Sequence, residues 1–217
     1  AHAGEDPDQG DHDPVSGHVP NSAVETRSWA LGGSWIGERG FVGVSVSRFD
    51  TLYGIPGHAH EHAEAAAHDD PGEDESEAVR IDLEQTRYDA KAELQSPFAG
   101  AETLRARVGV NDYAHVELEG EDIGTRFDNR GTESRVEIVH LPWRGWRGAY
   151  GVQLGRGDFE AVGEEAFVPA SISRDLGAFL LEEREVDTWK FELGARWDTL
   201  EIDPEDAEAN DRLGVVL

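Results

Sequence analysis

Three histidines alternate within five residues, His58, His60 and His62, with Glu61 between the last two and His68 a short way beyond. Acids crowd the same stretch, among them Glu64, Asp69, Asp70, Glu73, Asp74 and Glu75. Neutral imidazole and carboxylate together suit a borderline divalent ion such as Zn²⁺, which takes about four ligands at roughly 2.0 to 2.2 Å. The surrounding negative charge concentrates cations before any ligand engages. His58, His60, Glu61, His62 and His68 are therefore the candidate metal ligands. Zn²⁺ is the expected ion, and Cu²⁺ or Ni²⁺ also fits, because intrinsic affinity follows the Irving–Williams order. The competing reading is a solvated acidic loop, since a His-rich tract is a compositional signal without fixed spacing.

The other histidines divide by position. His2, His12 and His18 are scattered through an acidic N-terminal stretch that reads equally as a tail or as a second metal-attracting loop. His115 shares an alternating polar face with Arg105 and Arg107, a further candidate ligand beneath the His-rich loop, whereas His140 beside Pro142 reads as structural. Glu164 and Glu165 read as a solvated pair. Signals for catalysis are missing: the sequence has no G-x-S-x-G, Walker A, G-x-G-x-x-G or H-E-x-x-H and no Cys. No enzyme is expected.

The charge balance excludes one class of partner. Among 217 residues, 46 acids face 19 Lys and Arg, a formal charge of -27 that repels nucleic acid. Residues 1–24, 58–78 and 201–211 hold 5, 8 and 6 of those acids without a single Lys or Arg. The chain thus divides into an acidic stretch 1–24, a moderately charged body 25–202 that carries the His/acid loop 53–78, and an acidic stretch 203–217.

Something must hold that loop in place, and the body alternates with period two. Trp189, Phe191, Leu193, Ala195 and Trp197 alternate with Lys190, Glu192, Arg196 and Asp198. Leu104 to Val110, Val42 to Val46 and Tyr88 to Leu94 repeat the pattern. The expected fold is all-β: an antiparallel up-and-down meander of eight long strands, at about 25–36, 41–52, 79–95, 103–117, 127–141, 146–159, 173–185 and 189–202. Connections alternate between tight turns and longer loops, and no run of roughly 18 apolar residues supplies a transmembrane helix. Long strands with asymmetric loops, and aromatics such as Phe41, Tyr53, Trp143, Trp146, Trp189 and Trp197 near strand ends, point to a transmembrane β-barrel. A soluble acidic β-protein that buffers divalent metal, or a small closed eight-stranded membrane barrel, would share the alternation.

The run Arg27 to Ser47, with Trp29, Gly32-Gly33, Trp35 and Gly37-Glu38-Arg39-Gly40, continues through Tyr53-Gly54-Ile55-Pro56-Gly57-His58. It resembles the TonB-dependent outer-membrane receptors, in particular the zinc-uptake branch. Ile81 to Asp89, Gly124 to Asn129, Gly163 to Pro169 and Glu192 to Arg196 are similar as well, so the resemblance spans about Asn21 to Asp203. It implies a cell outer membrane location, contact with outer-membrane lipid, and a middle portion of a larger barrel with extracellular long loops. It also implies import driven by the TonB system through receptor parts outside this sequence, and a match of His58, His60, Glu61 and His62 to the family's metal-capturing loop.

Overall fold

The computed structural model describes residues 19–56, 78–120, 122–163, 166–205 and the backbone of 213–216. The described residues form one antiparallel sheet in sequence order and contain no helix. Its strands are β1 (Val24–Gly37), β2 (Gly40–Gly54), β3 (Val79–Gln95), β4 (Ala101–Glu119), β5 (Asp122–His140), β6 (Trp146–Gly163), β7 (Ser171–Val186), β8 (Trp189–Pro204) and β9 (Leu213–Val216). The expected eight-strand meander is present. A short ninth strand is added at the end, and the sheet is open, because β1 pairs with β2 alone and β9 with β8 alone.

Tight turns join the strands at one end. Gly37 pairs with Gly40 across Glu38 and Arg39, and Val186 with Trp189 across Asp187 and Thr188. The second turn needs a left-handed residue, and Asp187 takes φ 56°, a conformation that Asp tolerates. At Gly40 the backbone sits at φ 156°, and a Cβ there would run into the Glu93 carbonyl of β3. Only glycine lets the chain turn this close to its neighbour.

Strand register sorts the side chains onto two faces. Phe41, Gly43, Ser45, Ser47 and Phe49 of β2 lie opposite Glu93, Lys91, Asp89, Arg87 and Gln85 of β3. The same face continues across Arg105, Arg107 and Asn111 of β4 and Glu137, Arg135 and Gly131 of β5. The opposite face carries Val42, Val44 and Val46, then Leu94, Ala92, Ala90 and Tyr88, then Leu104, Ala106, Val108 and Val110. It ends on Phe191, Leu193, Ala195 and Trp197 of β8. Each pleated strand therefore has one wet side and one apolar side.

The two sides differ in burial in an unusual direction. Among the described residues, the only buried apolar side chains are Val79, Ile81 and Ala101. The apolar face stands open instead, with Trp35 72%, Leu31 71% and Trp189 70% exposed. A water-soluble protein of this length would turn that face inward around a core.

Packing on the polar face is tight where glycine meets an aromatic ring. Gly151 of β6 pairs with Phe179 of β7, and the Arg135 guanidinium lies 4.1 Å over the Phe179 ring. A Cβ on Gly151 would come 2.6 Å from that ring and collide with the Val136 carbonyl. Gly151→Ala should therefore destabilise the sheet by about 1–3 kcal/mol, the usual scale of overpacking, when denaturant unfolding is followed by Trp fluorescence. An unchanged midpoint would show that ring and strand move aside freely.

Candidate functional site

The candidate ligands His58, His60, Glu61, His62 and His68 lie outside the described residues, as do His2, His12, His18, Glu164 and Glu165. What the structure does place is the base from which the His-rich segment leaves the sheet. Asn21 donates from its side-chain amide to the carbonyls of Ile55, at 3.1 Å, and Val79, at 2.7 Å. The Ile55 N–H donates to the Val79 carbonyl at 3.0 Å, and the Gly54 N–H to that of Ala23 at 3.1 Å. Thr51, Val79 and Ile81 beside this clamp are among the most buried residues described, at 8%, 7% and 5% exposure. The two ends of the segment are thus fixed side by side at the long-loop end of β2 and β3.

His115 lies on the polar face, in register with Leu83 of β3 and Phe127 of β5. Four positions separate Leu83 from Val79 at the clamp, about 13 Å along a strand. The imidazole stacks on Phe127 at 4.5 Å between centroids and meets the Tyr113 ring edge-on at 5.5 Å. Burial lowers its pKa, which favours the neutral ring, and its Nδ1 is buried without a hydrogen-bond partner. Chemically it is able to ligate, but no cluster of three or more His, Asp or Glu positioned for a metal occurs among the described residues. His115 here packs as an aromatic. His140 sits a strand length away near the tight turns, with Nε2 3.0 Å from Glu182 and Nδ1 2.7 Å from the Leu141 carbonyl.

The apolar face carries the most extensive feature of the sheet. Trp29, Tyr88 and Trp197 mark its border toward the long loops, while Trp35, Trp146 and Trp189 mark it toward the tight turns. Trp29 to Trp35 and Trp189 to Trp197 span about 20 and 26 Å at roughly 3.3 Å per residue. Outer-membrane barrels present an apolar band about 25 Å tall, edged by aromatic rings on both sides. All five strand tryptophans fall on this one face.

Beyond the long-loop border the same face turns charged, a change that alternation alone does not announce. Arg48 and Asp50, Arg126 and Asp128, and Arg156 and Asp158 pair two residues apart on one strand, at 2.8, 2.7 and 2.9 Å. Cross-strand pairs add Arg48 with Glu84 at 3.0 Å and Arg130 with Asp112 at 3.2 Å. Hydrogen bonds from Arg126 and Arg156 hold the Asp128 and Asp158 carboxyls below the usual carboxylate range. The Arg-x-Asp spacing is visible in the sequence and places both partners on one face of a strand, but Arg87-x-Asp89 and Arg196-x-Asp198 share it on the polar face, so the register is needed to locate the collar.

No known family model matches the chain. No helix among the described residues is long and apolar enough to cross a membrane.

Proposed function

We propose that this chain is a wall segment of an outer-membrane β-barrel receptor of the TonB-dependent, zinc-uptake kind. On this reading the segment 53–78 captures Zn²⁺ at the outer surface. One observation carries the membrane reading: an open meander exposes an extended apolar face bordered by Trp and Tyr, with the Arg/Asp collar beyond its long-loop border and Glu182 and Arg184 just inside its tight-turn border. In lipid that face needs no covering protein, and the strands of 14 to 19 residues exceed the 9 to 11 needed to cross the bilayer. The residues beyond the crossing carry the charged collar outward and lift the clamped base of the His-rich segment clear of the membrane.

Zinc capture rests on the composition of that segment and on the clamp that presents it. Nine strands leave both edges open, so uptake requires further strands to complete the barrel and the TonB system to supply energy. Vesicle flotation tests the membrane part. The chain refolded with phospholipid vesicles should rise with them in a density gradient, and in detergent-free buffer it should sediment as large oligomers. A compact monomer in plain buffer would sink the membrane reading and favour the soluble, metal-buffering β-protein.

A further inference from the structure

We propose that Lys91, Arg107 and Arg135 form a binding site on the polar face for a small multivalent oxyanion of the phosphate or polycarboxylate type. The three cations stand in one row, because Lys91 of β3 pairs with Arg107 of β4 and Arg107 with Arg135 of β5. Like charges directly opposite on neighbouring strands repel, and such a row is costly unless an anion lies over it. This occurs in a chain where acids outnumber Lys and Arg by 46 to 19.

Apart from Glu133, the acids around the row are engaged by arginines, and one of them, Glu137, binds the row's own Arg135. Asp89 is held by Arg87 at 2.9 Å, Glu93 by Arg105 at 3.1 Å, and Glu137 by Arg135 at 2.7 Å and Arg105 at 3.1 Å. Glu133, diagonal to Arg107, is the one acid of the cleft that binds no cation directly. Lys91 and Arg107 make no hydrogen bond or ion pair, a condition that only Arg147 shares among the described Lys and Arg once ring contacts are counted.

Space is present as well as charge. A cleft of about 270 Å³ is lined by Lys91, Arg107, Gly109, Glu133, Arg135 and Gln153. Gly43 lies opposite Lys91 on one flank, and Gln153 opposite Arg135 on the other. At the Arg135 end the Phe179 ring stacks on the guanidinium at 4.1 Å. Two strand spacings separate the outer cations, about 10 Å, and flexible Lys and forked Arg heads can converge across it on an anion with two or more charged groups. The site lies wholly on the sheet and does not depend on zinc.

Titration of the full chain in zwitterionic detergent at low salt with pyrophosphate, and with acetate as the monovalent control, tests the site. Pyrophosphate should bind saturably with a Kd near ~1 mM or tighter, and at least tenfold more tightly than acetate. The double variant K91Q/R107Q should lose at least tenfold in affinity while R147Q keeps it. Pyrophosphate should raise the melting temperature of the parent and leave that of K91Q/R107Q unmoved. Absence of saturable binding, or equal binding by K91Q/R107Q, overturns the proposal. Glu133→Gln should tighten binding; if that variant binds and the parent does not, Arg107 is already closed by Glu133 and the site falls.

Discussion

Val44→Arg is expected to reduce membrane insertion of the refolded chain by roughly thirty- to several-hundred-fold, while Ser45→Arg, one residue on, leaves it nearly unchanged. Val44 is 61% exposed in the middle of the apolar face, between Val42 and Val46. A lipid-facing Arg near the bilayer midplane costs about 2–4 kcal/mol in a barrel, and each ~1.4 kcal/mol is a factor of ten. Ser45 points to the other face, opposite Asp89 of β3 and Gly32 of β1, where a guanidinium finds water and a carboxylate. The pair of variants differs in face and hardly in position. Equal insertion of the two, measured by vesicle flotation against urea, would mean that the apolar face does not meet lipid.

The second large effect concerns the metal. Calorimetric titration with Zn²⁺ in a non-chelating buffer near neutral pH should give micromolar or tighter binding, lost by well over tenfold in His58→Ala/His60→Ala/His62→Ala. More than tenfold corresponds to more than ~1.4 kcal/mol, a modest demand if the triple change removes most of four ligands. Because the changes lie between the clamped ends at Ile55 and Val79, the sheet should keep its β-sheet circular dichroism. Retained affinity in the triple variant would move the binding to other acids. An affinity missing from the parent as well would remove metal capture from the account of this chain.

Where sequence and structure agree, period two is the reason. β8 alternates cleanly from Trp189 to Trp197 and was legible to within two residues at its end, Pro204 in place of 202. β5 and β6 were cut short in the sequence reading, since they run from Asp122 and to Gly163 where 127 and 159 were expected. Beyond the aromatic border charged residues take over the outward face, while the other face mixes aromatic and polar side chains. Arg126 and Asp128 look outward while Phe127 and Asn129 look the other way, so the alternation fades although the backbone ladder continues. β9 is four residues long and too short for any periodic signal. Phe41 and Tyr53 are expected with the tryptophans at the strand ends, but both lie on the polar face, opposite Glu93 and Ile81 of β3.

The candidate site was legible only as chemistry. Alternating histidines name a class of ion, whereas their positions depend on a segment with no pattern of its own. The placement of His115 on the polar face followed from its parity with Arg105 and Arg107, and the register bears that out. Its stacking on Phe127 could not be read, since the partner comes from a strand whose start was placed just there. The cation row was equally hidden, because Lys91, Arg107 and Arg135 become neighbours only through the register of three strands.

Every strand of this sheet touches only the strands before and after it in the chain. Such a molecule is ordered along one dimension, like a stack of repeats whose stability is a sum over nearest neighbours. A hairpin could be duplicated, deleted or exchanged with little disturbance beyond its two flanking strands. Arg-x-Asp pairs strengthen this independence, because each such strand brings its own counterion and leaves no orphan charge when its neighbour changes. The architecture is therefore well suited to growth by hairpin accretion, in which a wall gains circumference while its outer loops diversify one at a time.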